Sequence, residues 1–128
     1  MRYFLYALLL SAATLAGAQV KGTIDFTQPL HGLDGKPILL TAEKNSPAAT
    51  LGDVAVNALE SVTDQDRGLT GQVKFQRDEL ARHIYGNKHA VLSIEDVSLI
   101  KDRIGQVYGP LVVGAAWPLL DPSMKAEN

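Results

Sequence analysis

The chain contains no cysteine, which excludes disulfides, thiolate catalysis and cysteine-based zinc or iron–sulfur centres. Whatever fold it adopts stands on packing and hydrogen bonds alone. Histidine is scarce: His31, His83 and His89 are the three, and no two of them have the i, i+4 spacing that places two ligands on one helix face. No metal and no cofactor is expected. Aromatic residues make up 6% of the chain; Tyr85, Tyr108 and Trp117 could line a ligand groove, but at helical positions beside Val and Leu they read as core or interface, and no interleaving with basic residues suggests base stacking.

Positive charge is also in short supply. The formal net charge is −2, and the one local basic density, Lys74, Arg77, Arg82, His83, Lys88 and His89, is interrupted by Asp78 and Glu79. It reads as a solvated helix face, so nucleic acid is not an expected partner. Phosphate loops are missing, because Gly68-Leu69-Thr70-Gly71 is not followed by Lys-Ser/Thr. No serine has a Gly-x-Ser-x-Gly context. Glu95, Asp96 and Asp102 are accounted for by helix capping and solvation. No catalytic, cofactor-binding or metal-binding residue is assigned. The one enzymatic alternative is His83 working with Asp78 or Glu79 as an acid–base pair.

What the 128 residues do have is a globular composition, 46% apolar and 20% charged, of a size for one domain. The longest apolar run is at the start. Met1-Arg2-Tyr3 is weakly positive, Phe4 to Leu10 is continuously apolar, and Ala16-Gly17-Ala18 is a small-x-small site before Gln19. This is the layout of a secretory signal peptide over residues 1–18, and the run is short for a membrane-spanning helix. An uncleaved segment would be the chain's one contact with a membrane. Alternatively, Val20 is the true start, since a valine codon can initiate; the protein is then cytoplasmic or virion-associated rather than periplasmic or secreted.

The single domain is expected over 19–121, with a polar tail beyond. Thr23–Thr27 and Pro37–Thr41 read as two short strands joined through the Asp34-Gly35 turn as an N-terminal β-hairpin. Glu43–Ala49 reads as a loop. Thr50 caps a first helix with Leu51, Val54, Ala55, Ala58, Leu59 and Val62 on one face. Thr63–Gly68 reads as a polar linker. A second helix covers Thr70–Tyr85 with Val73, Leu80, Ala81 and Ile84 as its stripe and Gly86-Asn87 as its stop. Ser93 opens a third helix as a capping box, with Val97, Ile100, Ile104 and Val107 inward and Gly105 weakening it modestly. Pro110 opens a fourth, Leu111 to Leu120, apolar nearly all round and expected to be the central buried element, with Pro118 ending or kinking it. The fold class is therefore α+β: an N-terminal β-hairpin packed on a small bundle of four short helices. Exposed strand edges and the off-stripe residues Leu69 and Phe75 are the surfaces free for a partner protein.

Four stretches carry a resemblance. They are Leu33–Pro37, Thr50–Leu59, Leu92–Val97 and Ile104–Trp117. As a set they resemble small uncharacterised proteins of tailed phages and bacterial prophages, over roughly residues 23–121. The resemblance implies a non-enzymatic interaction or assembly accessory protein of phage origin, with no active site to carry over. The signal-like N-terminus departs from that pattern and supports a different reading: an exported envelope protein that regulates an envelope or lysis protein. Intact mass by cell fraction separates the two. A periplasmic or secreted form starting at Gln19 establishes export, whereas a cytoplasmic or virion form starting with methionine at position 20 removes the leader.

Overall fold

The computed structural model describes residues 20–124; the leader read over residues 1–18 and the end of the polar tail lie outside them. The architecture is α+β. Strand β1 (Val20–Asp25) is followed by a long excursion and helix α1 (Leu51–Glu60), a short 3-10 turn (Asp64–Asp66), helix α2 (Gly71–Gly86), strand β2 (His89–Ser93), and helices α3 (Ile94–Val107) and α4 (Pro110–Leu120).

The expected hairpin does not form. β1 pairs antiparallel with β2 instead, Thr23 opposite Val91 and Ile24 opposite Ala90, with a bulge between Val20 and Gly22. The physical reason is burial. In this register Ile24, Ala90 and Leu92 are buried, and the next apolar residue, Phe26, is buried with them, whereas Leu39 and Leu40 of the expected second strand are half exposed. The Asp34-Gly35 turn itself is present. Gly35 has φ 81°, and the Gly32 amide donates to the Lys36 carbonyl at 2.9 Å. Its arms are only Leu30-His31 and Pro37-Ile38, linked by the single bridge His31–Pro37 and a 2.8 Å bond from the Ile38 amide to the Leu30 carbonyl. A further 2.7 Å bond, from the Ala49 amide to the Ile38 carbonyl, returns the excursion to α1. There Gly52 is required by close approach, since a Cβ would lie 3.0 Å from the Phe26 carbonyl oxygen.

The helix starts follow their caps. Thr50 and Ser93 form complete capping boxes with Asp53 and Asp96, and the Thr70 hydroxyl accepts from the Val73 amide. Leu51, Val54, Ala55, Ala58 and Leu59 of α1 meet Leu80, Ala81 and Ile84 of α2 and Val97, Ile100 and Ile104 of α3 in one core. Val62 lies beyond the end of α1 and is 79% exposed, not part of its buried face.

Two further expectations are corrected. α4 is not the central element: only Ala116 and Leu120 of it are buried, and Leu111 is exposed. It closes the core from outside against α3 and α1, and it continues through Pro118 to Leu120. Trp117 lies along α3, its indole N–H donating to the Lys101 carbonyl at 3.1 Å. Its ring lies where a side chain at Gly105 would begin, 3.3 Å from the Cβ position. Nor is Thr63–Gly68 a purely solvated linker, because Asp66 within it is buried.

Asp66 is buried because Arg103 is. The Arg103 side chain is fully enclosed, and its guanidinium has partners for all its N–H groups. Nε donates to the Ala58 carbonyl, Nη1 to Asp66 and Gln106, and Nη2 to the Ser61 carbonyl at 2.8 Å and to Asp66. Arg77 Nη1 reaches the same Asp66 carboxylate at 2.9 Å. Arg77 thus leaves the solvated face on which its basic neighbours remain, and its buried Nε has no hydrogen-bond partner among the described residues. The Asp66 carboxyl is held down from 3.8 to about 2, first by the Thr63 amide and then by the two guanidinium groups, against the opposing effect of burial.

Arg103→Leu leaves Asp66 short of a buried counter-charge and is expected to destabilise the fold by about 3–5 kcal/mol, read by chemical denaturation. Because the folded carboxyl of Asp66 is depressed, its contribution is complete above the unfolded value and is lost as pH falls toward about 2. Asp66→Asn is therefore expected to flatten the acid limb of the stability–pH curve, and an unchanged limb would contradict the assignment.

Candidate functional site

The apolar residues of α1 turn inward, which leaves Asp53, Val56, Asn57 and Glu60 on its outer side at helical spacing. Three pieces of the chain stand around that face. Ile38-Leu39-Leu40 comes from the excursion, Tyr85 and Lys88 from the end of α2 and the residues after it, and Tyr108 and Val112 from the α3–α4 junction. Together they enclose an open groove of about 650 Å³ whose floor reaches the core at Phe26, Leu30 and Ile84. This volume is in the range of recognition sites for small molecules or for a few side chains of a partner.

The groove is mostly apolar, with a few placed polar groups. Asn57 donates its side-chain amide to the Tyr108 hydroxyl at 2.6 Å, which fixes that wall. The Lys88 ammonium stands 5.0 Å from the centre of the Tyr85 ring, within reach of a cation–π contact. Asp53 accepts from the Thr50 amide at 3.0 Å and so belongs to the helix cap. Leu39, Leu40 and Tyr85 are 46%, 49% and 72% exposed, and all three line this groove.

Glu60 marks one end, where a shallower groove lined by Ala81, Arg82 and Gly86 continues and shares Val56, Glu60 and Tyr85 with the first. The Asp78 carboxyl beside it, with some burial, holds the Glu60 carboxyl above the usual range, and the Arg82 guanidinium acts against that. Asp78 moves the opposite way, lowered by Glu60 and by Arg82, whose Nε lies 2.6 Å from its carboxylate.

Of the alternative acid–base pair, no ion pair joins His83 to Asp78 or Glu79 among the described residues. His83 Nε2 lies 3.4 Å from the Val91 carbonyl and Nδ1 3.5 Å from the Asn87 amide, while Asp78 is taken by Arg82. His89 approaches Asp25 at 3.5 Å, and His31 is exposed beside its turn. Asp25 is lowered chiefly by the Thr27 hydroxyl and amide, with His89 adding to it. Among the described residues no three His, Cys, Asp or Glu side chains are grouped to hold a metal, and no helix is long and apolar enough to cross a membrane. Of the two off-stripe residues, Phe75 is 58% exposed and Leu69 is half-buried.

The sequence does not locate the groove, because its lining comes from separate segments that only the folded core brings together; of the three aromatics weighed for a ligand groove, Tyr85 and Tyr108 do line it. The signals that existed were the apolar run Ile38-Leu39-Leu40, Val56 outside the α1 stripe and Tyr85 at the end of α2. Comparison with protein-family models, with curated proteins and with solved structures finds no match to this chain.

Leu39→Ser with Leu40→Ser removes rim surface and leaves the core intact. It is expected to reduce the fluorescence of an apolar reporter dye bound to the protein while shifting the thermal midpoint by less than about 3 °C.

Proposed function

We propose that this chain is a non-enzymatic interaction protein, an accessory or assembly factor of phage or prophage origin, that holds a partner protein in the groove over α1. The observation that carries this reading is the rim: Leu39, Leu40 and Tyr85 stand exposed together around an apolar floor that opens to solvent. Apolar side chains scattered singly over a surface need no explanation, but a clustered, concave patch favours a bound partner. The polar groups at hand, the Tyr85 and Tyr108 phenols, the Asn57 amide and the charged Asp53, Glu60 and Lys88, suit orientation of a ligand. The phage assignment rests on the resemblance of residues 23–121 described above. On this reading the partner lies in the groove and not on the edge of the expected hairpin, since β1 pairs with β2 instead.

Site-specific photo-crosslinking in the native host tests the reading. A crosslinker at position 40 is expected to give one discrete protein adduct, and one at Ser98, exposed on α3, none. Val56→Arg, which fills the groove with a charged chain, is expected to abolish the adduct while the protein stays folded. Equal labelling from both positions, or an adduct insensitive to Val56→Arg, would overturn it.

A further inference from the structure

We infer that Asp34-Gly35 is a site of spontaneous backbone rearrangement, where aspartate converts to isoaspartate and loosens one wall of the groove. In the sequence the dipeptide reads as the turn of a hairpin. In the structure it closes a turn with no sheet behind it, joined across its arms by the single bridge His31–Pro37.

The chemistry needs no co-reactant but water. The Gly35 nitrogen attacks the side-chain carboxyl carbon of Asp34. A C–N bond forms, a carboxyl C–O bond breaks, and water leaves with the amide proton and the carboxyl hydroxyl. Water then adds to the main-chain carbonyl carbon of the cyclic imide and breaks its bond to the Gly35 nitrogen. The backbone now runs through the Asp34 Cβ and is longer by that atom, at unchanged mass.

Three observations place the reaction at this position. Gly35 has no Cβ to hinder the attack, and nothing lies within 4 Å of where one would be. Asp34 and Gly35 are both exposed, so water reaches the imide. The Asp34 carboxylate accepts from the Lys36 amide at 3.0 Å. The ring closed by that bond contains the Gly35 nitrogen, which keeps the carboxyl beside its own main chain and not out in solvent. The attack also breaks the 3.0 Å bond from the Gly35 amide to the Gly32 carbonyl, a single turn bond outside any helix or sheet.

The other aspartates among the described residues lack this combination. Asp53, Asp78, Asp96 and Asp102 lie in helices, Asp66 is buried, and Asp25 and Asp64 precede the side chains of Phe26 and Gln65. Asp121 precedes Pro122, which has no N–H to give up. Asn45 is exposed, but Ser46 brings a side chain to the attacking residue, and the product there is heavier because ammonia is exchanged for water.

The turn holds the groove wall, whatever the groove binds. Leu30 and Ile38 on its arms are joined by the 2.8 Å bond from the Ile38 amide to the Leu30 carbonyl, and both line the groove with Leu39 and Leu40 beyond them. A longer linkage at the tip breaks the spacing of the Gly32–Lys36 and Gly35–Gly32 bonds that set these arms.

The test is to hold the full chain, folded, in warm neutral buffer for weeks and to map its digest. The expected product is a peptide of unchanged mass and shifted retention that resists aspartate-directed cleavage at position 34. It exceeds the same product at any other described aspartate by at least about tenfold, a barrier difference of about 1.4 kcal/mol. Asp34→Glu, whose longer side chain closes the ring poorly, is expected to remove the product. Asp34→Asn is expected to form isoaspartate faster, with ammonia leaving. In the aged protein the amides of Ile38, Leu39 and Leu40 shift, and those of Ile100 and Ile104 on α3 do not. Rearrangement at position 34 in denaturant but not in the folded protein would show that the turn protects the bond and would overturn the site. Product spread evenly over the aspartates, or absent in both states, would overturn it as well. Isoaspartate at position 34 with unmoved Ile38–Leu40 amides would uphold the site and overturn its effect on the wall.

Discussion

The buried guanidinium of Arg103 is the interaction on which the rest of the structure depends. It reaches the carbonyls at the end of α1, the carboxylate of Asp66 in the following turn and, through that carboxylate, Arg77 on α2. One side chain on α3 thus fixes where α1 ends, how the chain turns after it and how α2 lies. Desolvating a guanidinium is costly, and it is tolerated here because every donor has a partner. Such a network stabilises less than an apolar core of the same volume would, yet it enforces one arrangement of its parts.

The groove is a product of that arrangement. α1 can present Val56, Asn57 and Glu60 outward only because Leu51, Val54, Ala55, Ala58 and Leu59 are held inward. The walls come from segments that have no reason to approach one another except through the core. The proposed partner would be held there by shape, apolar contact and a few charges.

Much of the helical part was legible in the sequence, because caps and stripes are local. Thr50, Thr70, Ser93 and Pro110 each mark a helix start in the structure. The sheet was not legible, for a physical reason: Asp34-Gly35 is a strong turn dipeptide, but a turn does not make its arms a sheet. Burial of Ile24 and Phe26 required the distant His89–Ser93 strand, where the run Ala90-Val91-Leu92 hid its alternation behind an exposed valine. Asp66 and Arg103 escaped as well, since charged residues in a polar stretch and on a helix read as solvated until their partners are known. α4 misled through its composition: with so little polarity it read as central, yet a core this small is filled by α1 and α3 first. The groove inherited the difficulty of the sheet.

The pairing of β1 with β2 also has a kinetic side. The first described strand finds its partner only after the excursion and two helices have intervened, so the sheet closes a long loop while α1, α2 and α3 rely on nearer contacts. Loop closure of this kind is slow relative to helix formation. During synthesis, Ile24 and Phe26 emerge long before Ala90 and Leu92 exist to cover them. Those two side chains therefore stay uncovered by the sheet until residues 89–93 have been made.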